Sequence, residues 1–563
     1  PAGQIGLSGA NYGSSGHVIT SAGSGSAPSW AAIPAGGNTF TAVANGSIAN
    51  NKAVCLESDG KVAEIKQVVT PKIAGWEIDH DVTPTTTGWD QDTREVHTIY
   101  NSTHDIAFLW DKTTTGEQNY LHIYEKVSGT WTHRDTETLG GVDPDSSADK
   151  PRMSGVWDTT NQRLVLTYVA GGSNETIRSK VGELNTSTWA WTWGSEDQIV
   201  AGHSSNRLGA VDFDTTTGRL IFVFKDGSSG YPKMNIGTVD TSDNSIDWGS
   251  VVDLDWSSGN AANHRMDVTV IPGGKAIAAY SRNSESYGNL VTISTSSNTA
   301  TSHGAVQFTG GGGYSGGYPK VVWNTAKSKA CFLYVATSHS NKLRAHIGTV
   351  SGTTLSIENT GAPVDTGNNS PTHISLVYSN YSSGVFSLNV RSEDGGIPLM
   401  AYLNMDGAQV VAQSGTGNGS SSDLSPNASH YKRFNHLAVD ESDGSILMCG
   451  NYMGTGTSHG YTRMANIKTG VIGSNIAASD HRLYVGYADQ AYTDGQTATI
   501  KTYGNNVDTL SGLTIGTNYF VQSDGTLGTT KDGHFTYDNS PLGGLALSAT
   551  KLLIRDPKHS GYP

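Results

Sequence analysis

Trp157-Asp158-Thr159-Thr160-Asn161-Gln162-Arg163-Leu164 and Phe213-Asp214-Thr215-Thr216-Thr217-Gly218-Arg219-Leu220 are two copies of one hairpin. In each, a strand ends on an aromatic residue, a polar run supplies the Asp, Asn and Gly that a tight connection needs, and a second apolar strand follows. Extending that register gives a first-strand marker at Tyr100, Trp157, Phe213, Ile271, Trp323, Tyr378 and Val439, spaced 52 to 61 residues apart. A second-strand marker follows at Trp110, Tyr168, Phe224, Tyr280, Tyr334, Asn389 and Gly450, five of them aromatic. The third strand carries Ile236-Gly237-Thr238-Val239 and Ile347-Gly348-Thr349-Val350, with Val181-Gly182-Glu183-Leu184 as a looser copy. The fourth carries Trp193-Gly194-Ser195 and Trp248-Gly249-Ser250.

Copies of about 50–60 residues, each with about four short strands, have the dimensions of propeller blades. Apolar spacing has period two nearly everywhere, the signature of strands. The expected fold is therefore all-β, a seven-bladed β-propeller over 63–480, flanked by small β-modules at 1–62 and 481–563. A blade cannot bury both faces alone, so stacking in a ring hides them and protects the strand edges. The aromatic markers then read as packing between blades. A series of β-sandwiches is the alternative fold, but a regular interval over the copies favours the ring. Two stretches compete to complete the last blade: Ile65–Thr70 with Trp76-Glu77-Ile78, or Gly470-Val471-Ile472-Gly473.

Composition excludes several classes. The chain has 563 residues, of which 69 are Gly, and only 15% are charged, against about 25% in an average protein. Gly lacks the three-residue period of collagen. A net charge of −14 repels the phosphate backbone and anionic lipid, so no nucleic-acid partner is expected. No apolar run approaches the ~20 residues of a membrane helix, so no membrane insertion is expected. The N-terminus shows no basic region followed by an apolar one, and a chain beginning at Pro1 has lost its Met or belongs to something longer. Cys55, Cys331 and Cys449 are odd in number and widely spaced, which reads as buried free thiols.

The two ends differ in texture from the repeats. Ser15-Gly16-His17-Val18-Ile19-Thr20, running on through Gly/Ser to Trp30, resembles a segment common in bacteriophage tail-fibre proteins. Thr41–Ile48, Ala53-Val54-Cys55-Leu56 and Ser58-Asp59-Gly60-Lys61-Val62 are similar to a small β-module of such fibres. Tyr484–Ala488, Asp494–Ile500, Ser511–Val521, Ser523-Asp524-Gly525-Thr526-Leu527 and Ala546–Ile554 resemble another tail-protein module. The resemblance covers about a quarter of the chain. It implies a virion surface protein working outside the cell, a homo-oligomer (a trimer in such fibres), partnered by other phage tail proteins and by a host cell-surface glycan.

The search for chemistry gives no complete catalytic signature. The propeller sialidase box Ser-x-Asp-x-Gly-x-Thr-Trp is absent, and Ser128-Gly129-Thr130-Trp131 holds only its tail end. No nucleophile elbow, His-Glu-x-x-His or phosphate loop stands in a fitting context. Asp79/Asp81, Asp90/Asp92, Asp143/Asp145, Asp212/Asp214 and Asp253/Asp255 are close carboxylates. None has the further ligands of a calcium loop, so they read as turn and strand-end residues, and no catalytic residue, metal or cofactor is assigned. More suggestive are Arg94, Arg152, Arg207 and Arg265, five or six residues before a first-strand marker, with His373 five before its own. If the innermost strands start at a central mouth, these cations form a positive ring that suits a carboxylate or sulfate of an acidic glycan. The plainer role for them is bonding loop carbonyls and neighbouring Asp. Tyr314 and Tyr318, in the Gly-rich stretch 310–318, offer flat faces for a sugar, and 414–431 is a second long polar loop.

The leading expectation is thus a phage receptor-binding protein that recognises a host glycan through propeller loops. The alternatives are a propeller glycan hydrolase or lyase acting on acidic surface polysaccharide, and a purely structural virion or filament protein.

Overall fold

A computed structural model describes residues 17–20, 29–32, 38–82, 96–112, 119–139, 153–170, 175–200, 202, 207–254, 262–282, 285–308, 319–336, 342–358, 362–363, 371–391, 398–406, 411–414, 431–453, 460–476, 483–535 and 541–555. Among these residues the fold is all-β, built of antiparallel sheets, with no α-helix. The chain divides into two compact units, Pro71–Val471 and a second made of Pro1–Thr70 with Ile472–Pro563.

In the larger unit every sheet follows chain order. The strands Val96–Asn101, Ile106–Lys112, Asn119–Val127 and Thr130–Thr138 make one sheet. The pattern repeats in sheets opened by Met153–Asp158, Arg207–Asp214, Ala262–Ile271, Lys320–Asn324, Pro371–Ser379 and Tyr431–Asp440. The last of these takes Gln67–Val82 as its fourth strand, while 470–473 lies in the third strand, Gly460–Ser474. The segment ahead of the first copy therefore completes the last one, as the first of the two sequence alternatives has it. The opening strands lie side by side in chain order, and Tyr431–Asp440 returns to the side of Val96–Asn101. The arrangement is propeller-like, with the opening strand of each sheet innermost.

First-strand markers other than Ile271 pair with the residue seven positions on, while Ile271 ends its strand and pairs with Lys275 across a shorter turn. Tyr100, Trp157, Phe213, Trp323 and Val439 are each followed by Asn or Asp, whose side-chain oxygen accepts backbone N–H groups of the hairpin turn. Asp158 Oδ1 takes the amides of Thr160 and Asn161 at 2.9 Å, and Asp214 and Asp440 do the same for Thr216 and Ser442. Five residues after the marker the backbone turns left-handed, at Asp105, Gln162, Gly218, Ser328, Ser383 and Gly444. The local turn chemistry thus sets the hairpin register.

Faces of neighbouring sheets bury the aromatic markers. Ile99, Phe108, Trp110 and Leu121 of the first sheet pack with Trp157, Leu166 and Tyr168 of the next. Phe108 stacks on Trp157 at 5.6 Å, and Trp110 meets Tyr168 edge-on at 6.3 Å. Each such side chain contributes about 1.5–3 kcal/mol by leaving water. Ala107, Leu109, Tyr124 and Trp131 of the first sheet pack with Leu447 of the last. Cys55 and Cys331 are buried free thiols, and burial pushes both up, to about 11 and about 12. The side chain of Cys449 lies outside the described residues.

An innermost strand has a ladder partner on one side only, so alternate amides on its other edge need acceptors. Side chains from the preceding innermost strand supply them. His97 Nε2 takes the amide of Gly155 at 3.1 Å, Ser154 Oγ that of Val211 at 3.1 Å, and Asp212 Oδ2 that of Val270 at 2.8 Å. Asp267 Oδ2 accepts from Val321 at 3.0 Å and Thr269 Oγ1 from Trp323 at 3.3 Å. Asp212 keeps some solvent exposure but sits deep among strands. Burial pushes its carboxyl up to about 6, against the pull of the amides of Val270 and Phe213. Its protonated form is therefore held in the folded chain at pH values where the unfolded chain has released the proton. Stability from this group rises as pH falls through the window from about 6 to the ordinary carboxylate value. Asp212→Asn should flatten that part of the stability–pH curve, read as denaturation midpoints between pH 4 and pH 7; an unaltered curve would refute the assignment.

In the smaller unit the two ends of the chain share one sheet, in the order Thr39–Val43, Thr497–Lys501, Tyr484–Ala488, Ala53–Leu56, Val62–Glu64. A second sheet is formed by Asn506–Val507, Lys551–Leu553, Leu542–Ser548, Asn518–Val521 and Leu527–Gly528. A core containing Cys55, Ile65, Tyr484, Tyr487, Val521 and Leu552 joins them.

Candidate functional site

The N-terminal ends of the innermost strands of the larger unit define one face. Arg207 is the first residue of its strand and pairs with Lys225 across the ladder. Arg265 falls in the irregular stretch between Ala262 and Met266, and His373 near the start of Pro371–Ser379, opposite Val390. The backbone thus brings these three expected residues to the same end of their sheets. Their side chains, and Arg94, Arg152, Tyr314 and Tyr318 entirely, lie outside the described residues.

Antiparallel pairing brings second-strand ends and third-strand starts to the same face, and the described side chains there are polar and charged. Lys233 Nζ lies 2.9 Å from Asp226 and 3.4 Å from Asp253. Burial pushes the Asp226 carboxyl up, but Lys233 and Ser228 outweigh it and hold the group at about 2. Burial works against the charged form of Lys233, and Asp226 with Asp253 overcomes that and raises it. In the next sheet the Arg282 guanidinium sits 4.7 Å from the Tyr287 ring centroid and donates to its hydroxyl at 3.2 Å. That hydroxyl donates to Glu285 at 2.5 Å. Burial, then Glu285, keeps the Tyr287 phenol above its ordinary value against the opposing Arg282. Lys320, at the head of its innermost strand, pairs with Asp267 at 3.3 Å.

The sequence reading missed Lys225, Lys233, Arg282 and Lys320. The signal was present: Lys225 and Arg282 follow the markers Phe224 and Tyr280 by one and two residues, and Lys320 precedes Trp323 by three. Chemically, ammonium and guanidinium groups at one end of adjacent sheets suit an anionic ligand, with Arg able to grip a carboxylate by two parallel bonds.

Of the paired carboxylates, Asp214 caps its own turn and Asp212 bridges to the next sheet. Asp253 salt-bridges Lys233, and Asp255, Asp90/Asp92 and Asp143/Asp145 lie outside the described residues, as do the side chains of Asp79 and Asp81. Among the described residues no cluster of three or more His, Cys, Asp or Glu could hold a metal ion.

No protein-family model and no curated protein matches this chain. Solved structures do. A putative 6-phosphogluconolactonase from Bacteroides uniformis matches at 10% identity and TM-score 0.41, over 66% of this chain and 99% of that one. A polysaccharide lyase matches at 9% identity and TM-score 0.42, over 74% and 99%. An alpha-L-arabinofuranosidase from Fusarium graminearum matches at 11% identity and TM-score 0.39, over 60% and 98%.

These findings correct the tail-fibre resemblance, since none of these structures is a phage tail fibre. The tail-fibre and virion descriptions that rested on it are not supported. The physical reason lies in the quoted motifs. In Ser58-Asp59-Gly60-Lys61-Val62, Asp59 Oδ1 accepts the Lys61 amide at 3.0 Å and Gly60 has φ 84°. In Ser523-Asp524-Gly525-Thr526-Leu527, Asp524 Oδ1 accepts the Thr526 amide at 2.9 Å and Gly525 has φ 79°. Both motifs are what a tight turn demands, and tight turns recur in any β fold.

Proposed function

We propose that residues 71–471 form one closed seven-bladed β-propeller and that the chain is a glycan hydrolase or lyase acting on acidic surface polysaccharide. The observation that carries the reading is the gathering of basic residues, several of them held by neighbouring carboxylates, at one end of the sheets. Arg207 starts an innermost strand there, Arg265 and His373 lie near the starts of theirs, and Lys320 and Arg282 join them, on a chain of net charge −14. Closure is supported by the return of the last opening strand to the first and by the fourth strand that Gln67–Val82 lends to the last sheet. The cations hold and orient substrate carboxylates, which concentrates an acidic polymer over a repelling surface. A polysaccharide lyase and an arabinofuranosidase stand among the matched structures, at a distance that carries no argument of its own.

The test is incubation with uronic-acid polysaccharides. New reducing ends without an ultraviolet-absorbing unsaturated product mark a hydrolase, and both together mark a lyase. Absence of either on a panel of acidic polymers would sink the reading. Arg207→Ala with Arg265→Ala is expected to raise KM about tenfold or more, with a smaller change in kcat and with Tm kept, because the loss falls on substrate holding.

A further inference from the structure

The turn before the outermost strand of the second sheet differs from that of the third. In the third sheet the corresponding turn, four residues before Trp248, has Asn244 in the left-handed conformation at φ 56°. Asparagine tolerates that backbone, and its side chain is used: Oδ1 accepts from Arg163 at 2.7 Å and Nδ2 donates to the Thr192 carbonyl at 3.1 Å. Four residues before Trp193 stands Trp189, at φ 61°. A bulky aromatic residue there is a backbone outlier. The turn holds it: the Trp189 amide donates to the Asn185 carbonyl at 2.7 Å, and Asn185 Oδ1 takes the amides of Ser187 and Thr188.

Trp189 opens a run of alternate tryptophans, Trp189, Trp191 and Trp193, all half-buried. Trp191 stacks on Trp193 at 4.8 Å, and Trp191 also meets Phe108 of the first sheet at 5.5 Å. The inner part of this run is inter-sheet packing. Trp189, at its outer end, also packs against the core between the first and second sheets and is half-buried, with the rest of its indole exposed at the rim. Cations flank the run: the Arg134 guanidinium lies 5.6 Å from the Trp189 ring, itself bonded to Glu125 at 2.8 Å, and Lys180 lies 5.9 Å from the Trp193 ring.

We infer that the rim at Trp189 is an accessory binding site for an acidic glycan, separate from the face that carries Arg207 and Arg265. Antiparallel geometry places it at the far end: the turn 185–190 joins the C-terminal end of a third strand, whereas Arg207 starts a first strand. Sugar rings present C–H faces that stack on indole, and the guanidinium and ammonium at the run favour carboxylate-bearing sugars on this acidic chain. A strained aromatic where the neighbouring sheet uses an asparagine supports a site held for binding. The inference rests on the acidic-glycan reading above for its ligand class, and such a site would raise the residence of a long polymer through a second contact.

Native affinity electrophoresis in gels containing polygalacturonate, alginate or neutral dextran tests it. The intact protein should be retarded by the acidic polymers and not by dextran. Trp189→Asn, which installs the residue the neighbouring repeat uses, should weaken retention about tenfold while keeping Tm, and Trp189→Phe should keep most of it. Unchanged retention in Trp189→Asn overturns the inference, as does free migration of the intact protein in both acidic gels. Loss of retention in both variants with a fall in Tm also overturns it, by marking Trp189 as a packing residue. Cleavage of the same polymers separates the two readings: cleavage without Trp189-dependent retention removes only this site, and Trp189-dependent retention without cleavage removes only the enzymatic assignment.

Discussion

Gly249→Ala is expected to cost the protein about 3 kcal/mol, with Gly194→Ala close behind. Both glycines follow a fourth-strand tryptophan, in Trp248-Gly249-Ser250 and Trp193-Gly194-Ser195. Each donates its amide back to its own sheet, Gly249 to Ile236 at 2.9 Å and Gly194 to Val181 at 3.0 Å. A Cβ at Gly249 would collide with the carbonyl oxygen of Asn298, and one at Gly194 with that of Asn244. Those carbonyls belong to turns of the following sheet, anchored by side-chain bonds: Thr238 donates to Asn298 at 2.7 Å, and Arg163 to Asn244 at 2.7 Å. Backbone that is pinned cannot move aside as the end of a flexible side chain would. Gly533→Ala, where an added Cβ meets nothing within 4 Å, serves as the control and should be nearly silent. Chemical-denaturation midpoints decide the matter, and a Gly249→Ala protein within about 1 kcal/mol of the parent would remove the argument.

Lys126→Met should be nearly as damaging, at about 3–5 kcal/mol, because it strips the cation from a buried acidic cluster. Lys126 Nζ lies 2.5 Å from Asp440 and 2.8 Å from Asp443, with Lys126 only 7% exposed and Asp440 sealed from solvent. The Tyr100 hydroxyl sits between Asp105, at 2.6 Å, and Asp440, at 2.9 Å. The cluster joins the first and last sheets of the larger unit, so its loss acts where the sheets close on one another. Burial disfavours the charged Lys126, and Asp440 with Asp443 outweighs that and raises it. Burial likewise pushes Asp443 up, while Lys126 and Ser445 outweigh it and hold the carboxyl below its ordinary value. The Asp443 contribution is therefore present above the ordinary carboxylate value and lost as pH falls through the folded one. The Lys126 contribution is present below the ordinary lysine value and lost as pH rises through the folded one. In Lys126→Met the acid-side loss from this cluster should vanish, and adding Asp440→Asn should recover part of the stability by removing the stranded charge. A single variant as stable as the parent, or a double variant no better than the single, would contradict the account.

Much of the fold was legible because its signals are short-range. The aromatic before an Asp or Asn, the left-handed residue five positions on and the period-two alternation all sit within one hairpin, and the first-strand markers landed in register except Ile271, whose turn is shorter. The same locality misled at the ends. Ser58–Val62 and Ser523–Leu527 look like pieces of a particular kind of protein, yet the Asp and Gly in each are what a tight turn requires. At the candidate site, Arg207 and Arg265 were found by counting from markers, whereas Lys233 and Arg282 were not. Their placement depends on which ends of which strands antiparallel pairing brings to one face.

The amino-acid sequence by itself determined the strands, their turns and the period at which they recur, since each follows from φ preference, capping and alternation over a handful of residues. Only the tertiary structure decided that Asp212 serves Val270, that Gly249 must clear the Asn298 carbonyl, and that residues 39–64 share a sheet with 484–501. These partners lie from about fifty to more than four hundred residues apart, and a separation of that kind is settled by burial of sheet faces and satisfaction of edge amides across the whole molecule.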